Sequence, residues 1–245
     1  MIYGASAVYY REILILRRRL TRLIPSWCVS PLLYLIAFGF AMGKHVTLDG
    51  HTYMEFLLPG LIAMTSMTQA FAISSEINIA RFYWNIFEEI QAAPVSDISY
   101  VAGEVLAGMT RAFLAILVVL VLGFLFGVVL SLNPWFWLAI VLNSFLFASL
   151  AVGIAMLVKS HADQSLMTSF VITPMAFLGG TFFPLENFPV WAQKIIYFLP
   201  LTHAAGAIRT AAFGNRPSFV SLMILAIIGL LFFCVSVWCV KRAKD

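Results

Sequence analysis

Six uncharged, strongly apolar stretches alternate with polar links along the chain, at residues 23–42, 56–75, 112–132, 135–158, 166–183 and 219–240. Each is close to the length of about 20 residues that carries a helix across a hydrocarbon core of about 30 Å. The pattern predicts an all-α integral membrane protein with six transmembrane helices, formed by one membrane domain over residues 1–245. Asn133-Pro134 makes a tight turn between two spans, and Trp135 and Trp137 fall where an interfacial aromatic belt is expected.

The segment 76–104 interrupts this pattern. It carries Arg81, Glu88, Glu89, Asp97 and Glu104, and it separates two apolar runs. Within it, residues 81–90 read as a short helix with Phe82, Ile86, Phe87 and Ile90 on one face. Pro94 ends that helix, and Ser96-Asp97 offers a cap for the next one. Such a helix either lies flat on the lipid headgroups or touches something outside the membrane. The adjacent Glu88 and Glu89 favour the second reading, because an anionic leaflet would repel them.

From Tyr9 to Ile24, at about 100° per residue, Tyr9, Ile13, Leu16, Leu20, Leu23 and Ile24 gather on one side. Arg11, Arg18 and Arg22 gather opposite, flanked by Glu12 and Arg19, while Ile15 and Arg17 break the pattern. A basic amphipathic helix of this kind belongs at the membrane interface, where each cation near anionic lipid is worth about 1 kcal/mol. Pro25 is expected to separate it from the first span. The positive-inside rule puts Arg11, Arg17, Arg18, Arg19, Arg22, Arg81, Lys159, Lys241, Arg242 and Lys244 in the cytosol. Lys44, Lys194, Arg209 and Arg216 fall outside, so both termini and the segment 76–104 are expected to be cytosolic. Arg111 sits at a boundary and shares a helical face with Glu104. Interfacial anchoring is preferred there to a buried role.

The outward link 184–217 is too apolar for a solvated loop. Trp191 to Leu199, stopped by Pro200, and Leu201 to Phe213, closed by Gly214, both read as helices too short to span. They are expected to dip into the outer half of the bilayer as a re-entrant pair. Gly179, Gly180 and Pro184 supply the break that ends the fifth span.

With 62% hydrophobic and 11% charged residues, against about 25% charged in soluble domains, the chain is excluded from that class. The net charge of +4 belongs to membrane flanks and implies no nucleic-acid partner. Cys28, Cys234 and Cys239 match neither a zinc site nor a disulfide framework. A cleavable signal peptide is not expected, since the first apolar run is longer than a typical signal core. Gly39 to His45 approaches a phosphate-binding loop but has three intervening residues instead of four and lacks the Ser/Thr. His45, His51, His161 and His203 are scattered, so no metal site and no catalytic residue are assigned. The six runs contain no Asp, Glu, Lys, Arg or His to serve ion-coupled transport. A transporter of this kind needs an outside energy source, which a partner docked on segment 76–104 could supply.

Leu178-Gly179-Gly180-Thr181-Phe182-Phe183-Pro184-Leu185, with Phe188-Pro189-Val190-Trp191 and Leu199-Pro200-Leu201-Thr202-His203, resembles the signature of type-2 ABC exporter permeases. That family contains daunorubicin-type drug exporters, nodulation oligosaccharide exporters and polysaccharide export permeases. Phe56-Leu57-Leu58-Pro59-Gly60-Leu61 and Glu88-Glu89-Ile90-Gln91-Ala92-Ala93-Pro94-Val95-Ser96 extend the resemblance over essentially the whole chain. It implies a permease subunit of an ATP-driven exporter in the bacterial cytoplasmic (inner) membrane, moving an amphipathic, lipid-linked or drug-like substrate. It implies two permease copies, each bound to a separate cytosolic ATPase that holds ATP and Mg²⁺, with membrane lipid around them. The segment holding Phe82, Ile86, Phe87, Glu88 and Glu89 then corresponds to the coupling helix, and the helix with Arg11, Arg18 and Arg22 to the interfacial connecting helix. Gly179, Gly180, Pro184, Trp191, Pro200 and His203 belong to the outward cap. Phe82-Tyr83-Trp84 departs from the commonest pattern, being bulkier and less basic. If two copies face each other, Met64, Met67, Gln69 and Phe71 on the second span and Phe170, Thr173 and Phe177 on the fifth are candidate walls of the substrate path. Ordinary helix packing accounts for any one of them equally well. A non-transporting membrane anchor or sensor that recruits an ATPase is the alternative, and a drug pore and a lipid flippase both fit the spans.

Overall fold

The computed structural model of the chain describes residues 2–42, 47–48, 50–158 and 160–243. Lys44, His45, Lys159 and Lys244, used above for sidedness and for the approach to a phosphate loop, lie outside those residues. Helix α1 (Ile2–Met42) continues through Pro25 and Pro31, so the amphipathic stretch and the first span are one helix and not two separated at Pro25. A proline forfeits one helical hydrogen bond, a loss that membrane helices tolerate when neighbouring groups re-satisfy the freed carbonyl. At 1.5 Å per residue α1 is about 60 Å long, roughly twice the hydrocarbon thickness. Its first half runs alongside α5 (Asp97–Leu125): Gly4 faces Ser99, Val8 meets Gly103, and the Tyr9 hydroxyl shares a 3.0 Å hydrogen bond with Thr110 Oγ1.

A short antiparallel hairpin (β1 Thr47–Leu48, β2 His51–Thr52) leads into α2 (Tyr53–Phe71). Thr52 and Glu55 form a capping box there, the Thr52 N–H donating to Glu55 Oε2 at 2.7 Å. At Ala72 the chain turns into α3 (Ile73–Phe82), and the two together form a 30-residue apolar path. Helix α2 is buried on most sides because it packs against α5, α6 (Pro134–Leu157) and α10 (Pro200–Ala212). Helix α11 (Phe219–Arg242) covers α6 and leaves Val220, Ile227 and Leu231 exposed, as suits a lipid-facing surface.

Five helices among the described residues are long and apolar enough to span a membrane. The third starts earlier than the run at 112–132, at Asp97, where Ser96 caps it, and it stops at Leu125. The fifth run, 166–183, is helical only in pieces: α7 (His161–Met167), a π-helical turn (Thr168–Ile172) and α8 (Thr173–Leu178), followed by irregular backbone. Pro174 cannot donate to the preceding turn, and the wider turn places both the N–H and the hydroxyl of Thr173 on the Thr168 carbonyl.

The irregular stretch after Leu178 is seated against α2. Gly180 has φ of +77°, in the left-handed region, and a Cβ on Gly60 would run into the Thr181 backbone. Arg209 Nη2 donates to the Gly180 carbonyl at 2.7 Å, and the Tyr53 hydroxyl donates to the Phe182 carbonyl at 2.8 Å. Beyond it lie a 3₁₀ turn (Leu185–Asn187), α9 (Val190–Tyr197) and α10. Helix α10 is mostly buried among α2, α6 and α11, as a re-entrant element requires. Its last carbonyls are met by Asn133 Nδ2 on Ala211 (2.7 Å) and by the Ser131 N–H on Ala212 (2.9 Å). Helix α9 stays peripheral, with Val190, Trp191, Ile195, Tyr197 and Phe198 exposed.

At the opposite end, α1, α3 and α5 meet in a cluster of charges. Arg111 pairs with Glu76, its Nε reaches Gln69 Oε1 at 3.4 Å, and Arg19 lies 3.8 Å from the same Glu76 carboxylate. Arg11 pairs with the buried Glu12 at 3.3 Å, and Glu104 is 1% exposed. Arg111 is therefore a half-buried ion-pair partner as well as a boundary residue: α3 continues far enough beyond α2 to bring Glu76 to it. The segment 76–104 is likewise only partly in water, since its two ends belong to this cluster.

Removing one member of a half-buried pair costs less than in a dry core, and Arg19 remains near Glu76. Arg111→Gln should lower stability by roughly 1–2 kcal/mol, and the Arg111→Gln/Glu76→Gln double variant should lose less than the sum of the two single changes. Thermal unfolding of the four proteins in one detergent checks this, and additive losses would show that the pair is uncoupled. Gly60→Val should cost roughly 1–3 kcal/mol, the usual penalty for overpacking. An unchanged unfolding midpoint would refute the close approach to Thr181.

Candidate functional site

The charged end carries an exposed turn. Helix α3 ends at Tyr83, Asn85 takes left-handed backbone with φ of 53°, and α4 (Ile86–Ala92) follows. The expected single helix over 81–90 is thus broken at Tyr83-Trp84-Asn85. Three bulky or turn-forming residues in sequence there favour a reversal over helix continuation, and the N–H groups of Tyr83 and Trp84 both close on the Ile79 carbonyl.

The break divides the predicted coupling residues. Phe87 is 5% exposed and packs edge-on against the Tyr100 ring at 5.4 Å, with the Arg81 guanidinium over its face at 5.3 Å. It therefore serves as an internal anchor. Arg81 is itself fixed by donating to the Met156 carbonyl at 2.6 Å, and Asn78 Nδ2 donates to the Val158 carbonyl at 2.9 Å. The groups offered outward are Tyr83 (84% exposed), Trp84 (51%), Phe82 on the α3 side, and Glu88 and Glu89 on α4, with Ile86 half-buried between them. Trp84 also walls a small cavity lined by Arg11, Glu12, Arg19 and Glu76, so the turn lies directly over the charge cluster. Of the basic face of α1, Arg18 and Arg22 are exposed and Arg11 turns toward Glu12.

Deeper in the spans, a cavity of about 330 Å³ lies between α1, the α2–α3 path and the π-helical turn. Met64, Phe71, Thr173 and Phe177 line it, as the sequence proposes, joined by Tyr34, Thr68 and Thr168. The other proposed wall residues fall elsewhere. Met67 is fully buried in helix packing, Gln69 faces Arg111, and Phe170 is 75% exposed on the outer side of the turn. The cavity combines aromatic and thioether surface with threonine hydroxyls, a lining that accepts varied apolar groups and orients them through few polar contacts. A π-helical turn beside it matches the frequent placement of such turns at functional sites.

At the far end, Gly179, Gly180 and Pro184 line a second cavity of about 530 Å³ together with Thr202, Arg209 and Thr210. Arg209 lies against the Phe56 ring, 3.7 Å from its centroid, and also donates from Nε to the Phe56 carbonyl at 3.2 Å. His203 is buried, its Nε2 sharing a 2.9 Å hydrogen bond with the Tyr197 carbonyl, and Pro200 sits in the first turn of α10. Trp191 is exposed on α9, away from these contacts. Sequence reasoning did not single out Arg209 or Tyr53. The available signal was an ionisable residue in the apolar stretch 201–213, where a charge needs a partner.

The profile of the ABC-2 type transporter family matches residues 4–213. The chain is similar to the inner membrane transport permease YadH of Escherichia coli K12, with 30% identity over 88% of this chain and 86% of that protein. It is also similar to nodulation protein J of Rhizobium meliloti, with 31% identity over 90% of this chain and 86% of the relative. Nodulation protein J of Sinorhizobium fredii is 27% identical over 96% of this chain and 92% of its own length. In this family the ATPase is a separate subunit, so the protein is a multi-pass membrane permease and not an enzyme. On the extent of these matches, the chain belongs to the ABC-2 type transporter family.

Proposed function

We propose that the chain is the membrane-spanning subunit of an ATP-driven exporter. It takes an amphipathic, lipid-linked or drug-like substrate from the cytosol or the inner leaflet of a bacterial inner membrane and passes it outward. The observation that carries this reading is the cavity where Met64, Phe71, Thr173 and Phe177 converge beside the π-helical turn. It is a recess of mixed apolar and hydroxyl character, with no charged side chain among the residues that line it. Energy then comes from an ATPase subunit holding ATP and Mg²⁺, which docks on the turn at Tyr83 and Trp84 with Glu88 and Glu89 at the rim. Two permease copies, with both termini cytosolic, complete the assembly. Transport by the permease reconstituted with its ATPase tests the reading. ATPase binding without movement of any substrate would favour a membrane anchor or sensor instead.

Interface energy concentrates in a few aromatic anchors, while rim charges tune association. Tyr83→Ala/Trp84→Ala should therefore reduce co-purification of the ATPase by at least about tenfold, and Glu88→Gln by less. Phe87→Ala should act differently, costing about 3–5 kcal/mol of stability as a buried aromatic truncation. Undiminished co-purification of the double variant would place the docking surface elsewhere.

Filling the cavity should be selective too. Thr173→Trp should lower substrate-stimulated ATP turnover several-fold while leaving ATPase co-purification unchanged. Equal loss of both would mean that the change disturbs folding.

A further inference from the structure

We propose that the 530 Å³ cavity at the Arg209 end is a binding site for a zwitterionic aminoalkyl phosphate, with the phosphate at Arg209 and the amine at Glu186. The volume lies within the range of about 300–1,000 Å³ typical of small-ligand pockets. Its charges are arranged by depth. Arg209 lines the inner wall, stacked on Phe56 and held by the Phe56 and Gly180 carbonyls. Those two bonds occupy Nε and one N–H of Nη2, and Nη1 makes no hydrogen bond to the described residues. A guanidinium fixed in this way is a preorganised donor for a phosphate oxygen, since the ligand does not have to order the side chain. Thr202 and Thr210 also line the cavity, and Glu186 lies exposed at its rim. Arg209 and Glu186 attract each other but form no contact within 4 Å, so each retains capacity for a ligand charge.

This polarity discriminates among ligands. A simple anion gains Arg209 but is repelled by Glu186, and a simple cation meets the reverse. A phosphate ester with an amine a few bonds away satisfies both. Two sources carry that chemistry, an ethanolamine-type phospholipid in the surrounding leaflet and a free phosphate ester. Such binding requires neither ATP nor a partner chain, so its loss and the loss of export are separately measurable.

The test uses the full purified chain and its thermal unfolding midpoint against concentration of O-phosphoethanolamine, inorganic phosphate or ethanolamine. Phosphoethanolamine should stabilise the protein most. Glu186→Gln, at an exposed position, should weaken phosphoethanolamine about fivefold, the worth of one partly exposed charge pair, and should strengthen inorganic phosphate. Arg209→Lys should weaken every phosphate probe, and because Arg209 also secures two carbonyls, Glu186→Gln is the deciding variant. Stabilisation by none of the probes, or a Glu186→Gln variant that changes both phosphate probes alike, would overturn the site. Native mass spectrometry from phosphatidylethanolamine or phosphatidylglycerol nanodiscs then separates the sources. Retained phosphatidylethanolamine identifies the leaflet lipid, and binding of the soluble headgroup alone identifies the free ester.

Discussion

Irregular backbone at membrane depth is sustained only when its polar groups find partners inside the protein, and that constraint governs the outer half of this fold. After Leu178 the chain leaves the helix among apolar spans, where an unsatisfied carbonyl would cost several kcal/mol. Arg209 and Tyr53 supply the missing donors, one from α10 and the other from α2. Their reach depends on the absent side chain at Gly60, which lets α2 approach the Thr181 backbone. The burial of α10 follows from the same requirement, because Arg209 has to arrive from within the bundle. Asn133 and Ser131 then satisfy the end of α10 from the α5–α6 link. Four separate segments are tied by hydrogen bonds that no single segment could make alone.

The opposite end solves a different problem with a different interaction. There the spans continue beyond the hydrocarbon, and charges gather where α1, α3 and α5 converge. Ion pairs among partly buried groups contribute little net stability against well-packed apolar residues, yet breaking one is costly. Such a cluster resists separation of its helices while tolerating a shift between alternative pairings. Glu76 has two cationic neighbours, Arg111 and Arg19, and is thus able to exchange one for the other. Because Trp84 walls the same cavity as Arg11, Glu12, Arg19 and Glu76, the exposed turn rests directly on these pairs. Between the two ends, the π-helical turn at Thr168–Ile172 lies beside the membrane cavity, where the helix is already loosened by Pro174. A segment with a wide turn and a proline bends at lower cost than a regular helix.

The sequence by itself determined the features that depend on local chemistry. Five of the six apolar runs form the long helices that their length and composition specify, and Ser96, Asn133 and Gly180 mark starts and stops through their own side chains or backbone freedom. The short helix at 200–212 was legible as an element packed among the spans for the same reason, being too apolar for water and too short to cross. The residues near Gly179 carried the family resemblance. Tertiary structure decided the matters that turn on which helix faces which. Uniformly apolar helices such as α6 and α11 have no polar side to orient them, so periodicity cannot say which residues meet a neighbour and which meet lipid. Met64 and Met67 are equally apolar neighbours on α2, yet one lines the cavity and the other is sealed in packing. Phe87 looked available because its helix is polar on one side, but α5 brings Tyr100 beneath it. Pro25 suggested a break, and the packing of α1 along α5 kept the helix whole. Arg111 reads as a boundary residue, and α3 gives it Glu76 as an ion-pair partner. In each case the deciding partner lies on another helix, at a distance along the chain that local pattern does not encode.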